Sequence, residues 1–274
     1  MYFPYLRGRQ NELLCLRELL EVDRLYSTII PIIEPVRCNS TFFTTLKKFI
    51  EADRKIIIIK NPKVGKFRSD YEELKKKIED ETNEVKKKKL EETLINYKEL
   101  LNNSHIISGY LCDDKVISQC LDGKKNVKDI VLINTGIDTF GYYEEYGSKL
   151  EAVYTFIPKD EDFKDEVFGE TVILEDVYVK AKRNVDYIES PDELFSRNHL
   201  VYRKRGYVGF SDYSIVGDAY EESGFAPLAV AIHILYFGQK SELRVHHFVS
   251  ESNENISDPA RKFAEAMQNL LSWE

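Results

Sequence analysis

Short apolar runs recur along the chain with the spacing of strands that alternate with helices. Eight runs stand out, at residues 28–33, 55–59, 105–111, 130–133, 152–157, 171–174, 207–210 and 243–249. Most are continuous rather than alternating, which is typical of strands buried on both faces of a parallel sheet. The runs therefore predict a parallel sheet covered by helices.

Helical patterns with one apolar stripe lie between several of these runs. Leucines 13, 16, 19 and 20 form a stripe before the first run, and Phe42, Leu46, Phe49 and Ile50 form another behind the polar residues 39–41. The pair Asp258 and Pro259 is a typical helix start, and Phe263, Met267, Leu270 and Leu271 would share one face of the final helix. Residues 190–193, Ser-Pro-Asp-Glu, fit a capping box that would open a short helix through Phe195.

Eight runs with intervening helices predict an α/β fold, a (β/α)8 TIM-barrel-like structure in a single domain over residues 1–274. The later connections are short, so an incomplete barrel is the structural alternative. A late antiparallel hairpin is also expected, with strands at 230–237 and 243–249.

The charged segment 67–103 stands apart from the barrel pattern. It is almost free of helix breakers and carries two apolar stripes on either side of residues 81–83. We expect a turn there and hence an inserted helical hairpin that protrudes as an arm. A solvated spacer and a partner-binding arm remain equally open interpretations.

Composition narrows the classes of function. The formal net charge of −8 argues against a broad nucleic-acid coat, although a local basic groove is compatible with it. No apolar run approaches the roughly 18 residues that cross a bilayer, and the first ten residues do not resemble a signal peptide, so a cytoplasmic location is expected. The four cysteines, 15, 38, 112 and 120, have neither zinc nor redox spacing and are expected to be buried thiols.

Polar residues directly after the apolar runs are the first candidates for a site, because functional side chains of parallel barrels project from the C-terminal strand ends. These residues are Glu34, Arg37, Lys60, Asn61, Asn134, Glu175, Asp176, Asp212 and Tyr213. A carboxylate there can act as a general base, and a cation can hold an anionic substrate. Chains also leave the core at strand ends, so polarity there has an ordinary structural explanation.

Two further segments carry candidate chemistry. Lys182 and Arg183 concentrate positive charge that could receive a phosphate or carboxylate, although a surface loop explains them equally well. The glycine-rich stretch 206–217 surrounds Asp212, the strongest single candidate. His247 and its neighbour His246 must face opposite sides of a strand, and His233 could pair with one of them across the hairpin.

Stronger signatures are absent from the sequence. It contains no GxxxxGK[ST] phosphate loop, no GxGxxG after a strand, no HExxH and no GxSxG elbow. Lys60 stands where a Schiff-base lysine could stand, but no phosphate-binding glycine loop accompanies it. The sequence therefore names no cofactor and no metal.

Several blocks together resemble the beta-protein family, named from a phage protein, in its shorter bacterial branch. They are MYFPYLRGRQNELLCLREL, IIPIIEPV, KRNVDYIE, GYVGFSDYSIVGDAY, AVAIHILYF, LRVHHFVS and DPARKFAEAM. The resemblance implies a barrel-type protein encoded near mobile-element and phage-defence genes, without a settled activity. Its blocks include Glu34, Arg183, Asp186, Asp212, Tyr213 and His247, and the opening block adds Tyr5, Arg7 and Arg9.

Two functions from different classes follow. The first is a component of a bacterial phage-defence or mobile-element system, which binds or senses a small anionic or nucleotide ligand, or a protein partner encoded nearby, through the barrel mouth. The alternative is a hydrolase of a phosphorylated or nucleotide-like substrate. In it Arg183 would hold the anion, Asp212 or Glu34 would act as base and His247 as acid. The hydrolase requires these groups to lie within a few ångströms of one another.

Overall fold

The computed structural model describes residues 1–222 and 227–273. They form two compact units, each described by itself below. The barrel unit comprises Met1–Glu175 and Tyr202–Asp212, and the sheet unit comprises Asp176–Val201 and Tyr213–Glu274. The expectation of a single domain stays a prediction.

A closed barrel of eight parallel strands forms the first unit, as the run pattern predicts. Its strands, in spatial order, are β1 (Tyr2–Leu6), β2 (Ile32–Ile33), β3 (Ile56–Ile59), β4 (Ile106–Leu111), β5 (Ile130–Ile133), β6 (Tyr154–Ile157), β7 (Thr171–Glu175) and β9 (Gly209–Asp212). β9 pairs with both β7 and β1, which closes the barrel. The incomplete barrel is therefore excluded.

Two strand predictions differ from this barrel. The first strand, β1, was missed because Pro4 interrupts its short apolar run, and proline normally argues against a strand inside a sheet. The run 243–249, expected as the eighth barrel strand, instead belongs to the sheet unit. Because β1 is added and the run 243–249 is removed, the barrel still has the predicted number of eight strands.

Helices cover the outside of the barrel. They are α1 (Gln10–Glu21), α2 (Ser40–Glu51), α3 (Phe67–Asp80), α4 (Glu84–Leu101), α5 (Asp114–Leu121), α6 (Phe140–Tyr146) and α7 (Glu161–Glu166). The predicted stripes of α1 and α2 pack with Ile33, Ile56 and Ile58 from the outer faces of β2 and β3. Asn39 caps α2 by accepting a hydrogen bond from the Phe42 backbone N–H at 3.0 Å, as expected.

Helices α3 and α4 form the expected helical arm. They turn at residues 81–83, where the Asn83 side chain caps α4 by accepting from the backbone N–H groups of residues 85 and 86. The end of α4 returns to the barrel, and Tyr97 stacks on Phe43 with ring centroids 3.4 Å apart. The arm is thus joined to the barrel at its base.

The sheet unit contains three antiparallel strands. These are β8 (Asp192–Ser196), β10 (Ala231–Phe237) and β11 (Leu243–Val249), in the order β10-β11-β8. The expected late hairpin is confirmed as β10 and β11. The expected helix at residues 191–195 is wrong, because residues 192–196 form a strand that pairs with β11, and Asp192 accepts hydrogen bonds from Tyr236 and Arg244 of that sheet.

Two short helices complete the sheet unit, α8 (Asn198–Val201) and α9 (Pro259–Leu271). Asp258 caps α9 by accepting from the backbone N–H of residue 261 at 3.1 Å, as the Asp-Pro pair predicts. The expected apolar face is wrong in part, because Phe263 and Leu271 are 50% and 78% exposed while Lys262 and Ala266 are buried. Lys262 is accommodated because its Nζ donates to the backbone carbonyl of residue 255.

Two predictions made from composition can be compared with the structure, one on the burial of the cysteines and one on membrane-spanning helices. All four cysteines are free thiols, but Cys15 is exposed and Cys38 half-buried, so only Cys112 and Cys120 are buried as expected. Among the described residues, no helix has both the length and the apolar character needed to cross a membrane.

Candidate functional site

The side chains of the candidate residues in the barrel unit lie on two different faces, the inside of the barrel and its outer side. Tyr5, Ile32 and Ile57 are register partners on β1, β2 and β3 and point into the barrel. Alternation along a strand then places Arg7 and Glu34 on the same inner side. Lys60, Asn134 and Asp212 follow the opposite parity and face outward, between the barrel and its helices.

Glu34 is the centre of the inner group. It is 2% exposed, and its Oε2 accepts hydrogen bonds from the Tyr5 hydroxyl at 2.8 Å and from Nη1 of Arg7. Its Oε1 accepts from the backbone N–H of Lys63 at 2.8 Å. Both carboxylate oxygens are therefore engaged, which is how a buried charge is compensated rather than how a free general base is presented.

Arg7 is buried with Glu34. Its guanidinium forms the ion pair with Glu34 and lies 5.1 Å from the centroid of the Tyr5 ring. A guanidinium group that binds a carboxylate and also lies against an aromatic ring is held in one orientation. The inner group thus orients Arg7 at the C-terminal end of β1.

Asp212 and Asn134 each form a hydrogen bond with a tyrosine hydroxyl group. The Tyr2 hydroxyl donates to Oδ1 of Asp212 at 3.0 Å, and burial beside this carboxylate raises the pKa of Tyr2. Asn134 donates to the Tyr143 hydroxyl at 3.0 Å and accepts from Thr139 at 2.6 Å. Both residues have structural partners on the outer side.

Lys60 is the most unusual of the outward residues. Its Nζ donates to the backbone carbonyl of Leu101, the last residue of α4, at 2.8 Å. Burial lowers the pKa of Lys60 to about 8, because the charged ammonium loses solvation. The amine is therefore partly deprotonated slightly above neutral pH.

A cationic cleft opens beside Lys60, on the outer flank of the barrel near the C-terminal ends of β3 and β4. Its volume is about 380 Å³, and four cations line it: Lys60, Arg68, Lys115 and Lys125. Nζ of Lys125 lies 3.8 Å from the centroid of the Tyr110 ring, which also lines the cleft. We call this set the cationic cleft.

Cations outnumber carboxylates among the described residues that line this cleft. Over the part of the chain that is described, none of the four cations forms an ion pair. Asp113 lines the cleft, but its Oδ1 accepts from the Val116 backbone N–H at 2.9 Å and caps α5. In a protein of net charge −8, four cations beside one carboxylate favour an anionic ligand.

Sequence reasoning found Lys60 and missed its three partners. Arg68 begins the arm, Lys115 lies in the first turn of α5 and Lys125 follows α5, and no local motif links them. Only the adjacency of β3 and β4 in the barrel brings the segments that follow these strands together. Arg37 and Arg9, which are also expected in a site, do not line the cationic cleft.

Arg37 and Arg9 act at helix starts. Nε of Arg37 donates to Oδ2 of Asp70 at 2.7 Å, and the same oxygen accepts from the Cys38 backbone N–H, which ties the start of the arm to the segment after β2. The Arg9 backbone N–H donates to Oε2 of Glu12 at 2.8 Å at the start of α1.

Lys182, Arg183, Asp186, Tyr213 and His247 lie in the sheet unit. Arg183 and Asp186 are bound to each other, with Nη2 and Oδ1 2.6 Å apart. The guanidinium holds the pKa of the Asp186 carboxyl below its usual value. Lys182 is exposed and Tyr213 is buried.

His247 pairs with His233 across the hairpin, as the alternation predicts. Their Nδ1 atoms lie 2.6 Å apart, and the ring of Tyr187 lies 4.4 Å from that of His247. Burial lowers the pKa of His233 to about 4 and also lowers the pKa of His247, so both rings are neutral near pH 7. His246 faces the other side of the sheet, 3.2 Å from Asp192.

The candidate acid and bases of the hydrolase are not assembled within the barrel unit. Alternation along the strands places Glu34 on the inner side of the barrel and Asp212 on its outer side. His247 and Arg183 belong to the sheet unit. Among the described residues, no group of three or more His, Cys, Asp or Glu side chains is arranged to hold a metal ion.

Comparisons with known proteins do not extend this picture. No family model, no curated protein and no solved structure matches the chain. Function is therefore inferred from the residues and geometry of the site itself.

Proposed function

We propose that this barrel is a binding or sensing module for a small anionic ligand, with the cationic cleft as its anion site. The observation that carries the proposal is the group of four cations without ion pairs around one cavity of an acidic protein. A phosphorylated metabolite or nucleotide fits this chemistry, since lysine and arginine bind phosphate through charge-assisted hydrogen bonds.

The biological setting of the proposal is a phage-defence or mobile-element system. It is supported by the resemblance of the GFSDYS and HHFVS blocks to the beta-protein family. In such a setting ligand binding would serve as a signal, and a partner encoded nearby would respond to it. The hydrolase has weaker support, because both oxygens of Glu34 already accept hydrogen bonds.

Loss of one cleft cation should weaken anion binding strongly. We expect Lys125→Gln to raise the Kd for pyrophosphate at least tenfold, because a hydrogen bond to a charged group contributes about 1.5–3 kcal/mol. Isothermal titration calorimetry in about 0.15 M salt, where surface charges are screened beyond about 8 Å, measures this change.

The neighbouring lysine supplies a matched control. Lys124 is exposed and bound to Asp122 at 3.0 Å, and it does not line the cleft. Lys124→Gln should leave the Kd within about twofold of the original value, as expected for an exposed pair of small energy. Equal losses in the two variants would mean that pyrophosphate responds only to net charge, and the site assignment would be lost.

The lowered pKa of Lys60 predicts a pH dependence of anion binding. The ammonium is charged below pH 8 and loses its proton as the pH rises through that value. Affinity for sulfate, whose charge is constant in this range, should therefore fall between about pH 7 and pH 9. The Lys60→Arg variant, whose guanidinium stays charged, should show a flat profile. The same slope in both proteins would show that another group is responsible.

A further inference from the structure

A second cavity adjoins the cationic cleft at Lys60. It has a volume of about 420 Å³, and most of its lining is apolar, with Ile58, Ile59, Phe67, Tyr71 and Leu101. The other lining residues are Lys60, Arg68 and Glu72. We call it the arm-base cavity, because α3 and the end of α4 form its wall.

Two residues line both cavities. Lys60 and Arg68 belong to the wall of the arm-base cavity and to the wall of the cationic cleft, so the two spaces meet at these side chains. One side of this boundary is apolar and the other is cationic. Lys60 carries both an alkyl stem and an amine, and its Nζ donates to the carbonyl of Leu101, which lines the arm-base cavity.

We propose that the ligand is amphipathic, an anionic head joined to a short apolar or aromatic group, such as an alkyl or aryl phosphate. The head lies in the cationic cleft and the apolar group enters the arm-base cavity. This inference rests on the proposed function, since it assigns the second half of the ligand that the cleft binds. An apolar cavity with a few polar groups at one end is the usual design of small-molecule sites.

The charges around the arm-base cavity agree with this orientation. Glu72 is its only carboxylate, and Oε1 of Glu72 is bound to Nζ of Lys75 at 2.8 Å. Lys75 also lies over the ring of Tyr71, with Nζ 4.9 Å from its centroid. An apolar group entering here meets hydrocarbon and ring surface, whereas Lys115 and Lys125, which line only the cationic cleft, attract the head to the opposite side.

Titration with methyl, ethyl, propyl and butyl phosphate tests the inference. Burial of one methylene contributes about 0.8 kcal/mol, which corresponds to about fourfold in Kd for each added carbon and about 60-fold between methyl and butyl phosphate. The Tyr71→Ser variant should reduce this gain while binding methyl phosphate as before. Ile95→Ser, an exposed position on α4 that lines neither cavity, is the control and should keep the full gain.

The outcomes separate this inference from the proposed function. Binding of all four phosphates with equal affinity, weakened by Lys125→Gln, would overturn the amphipathic ligand and leave the anion site standing. A chain-length gain that Tyr71→Ser does not reduce would also overturn it, because the apolar group would then lie elsewhere. Absence of binding by methyl phosphate and pyrophosphate alike would refute the proposed function itself.

Discussion

Replacing Glu34 with alanine is expected to lower the free energy of unfolding by about 3–5 kcal/mol, because it leaves the buried guanidinium of Arg7 without its carboxylate. The change also removes the acceptor of the Tyr5 hydroxyl and of the Lys63 backbone N–H. Urea denaturation followed by far-UV circular dichroism measures the loss.

Two further variants locate the origin of this loss. Glu51→Ala removes an exposed carboxylate that is 3.8 Å from Lys47 and should change the free energy of unfolding by less than about 0.5 kcal/mol. The double variant with Arg7→Met and Glu34→Leu should recover part of the loss, since it removes both charges of the buried ion pair. If Glu34→Ala costs less than about 1 kcal/mol, the pair is solvated and Glu34 becomes available as a base.

The barrel could be predicted from sequence because the burial of a strand on both faces is evident from the residues of that strand alone. Runs such as 56–59 and 130–133 are apolar throughout, and only burial on both faces explains them. The two helices of the arm and the turn at residues 81–83 could also be predicted, from the helical periodicity of the apolar residues. β1 was not, because Pro4 argues against a strand when it is considered alone.

The site was harder to predict than the fold for two reasons. The face on which a side chain lies depends on its position in the alternation along the strand, and the residues beside it come from neighbouring strands and helices. Strand-end position selected Glu34, Asp212, Lys60 and Asn134 alike, although Glu34 faces the interior and the other three face the helix layer. A shift of one residue along a strand reverses the face, so a position next to the strand end does not identify it. The partners of Lys60 come from three separate segments that only the closed barrel brings together.

The second unit offers an independent measure of stability through its tryptophan. Trp273 is the only tryptophan of the chain, and its ring lies 5.5 Å from that of Phe248 and 4.9 Å from that of Tyr236. Its fluorescence therefore reports on the packing between the sheet and the end of the chain. Far-UV circular dichroism, by contrast, reports mainly on the helices of the barrel unit.

Phe248→Ala is expected to lower the free energy of unfolding seen by tryptophan fluorescence by about 3–5 kcal/mol, the usual cost of truncating a buried phenylalanine. Phe248 is 4% exposed and packs against His246 and Trp273, so its truncation leaves a cavity beside these two rings. Leu194→Ala, at an exposed position in the same sheet, should cost less than about 0.5 kcal/mol.

The two signals also bear on the prediction of a single domain. If fluorescence and circular dichroism shift together in Phe248→Ala, the units unfold as one cooperative structure, as that prediction requires. A shift confined to fluorescence would show that the sheet unit unfolds alone, and the chain would then be counted as two domains. Loss of less than about 1 kcal/mol would contradict the packing of Phe248 against Trp273, since a well-filled site does not tolerate the removal of a ring.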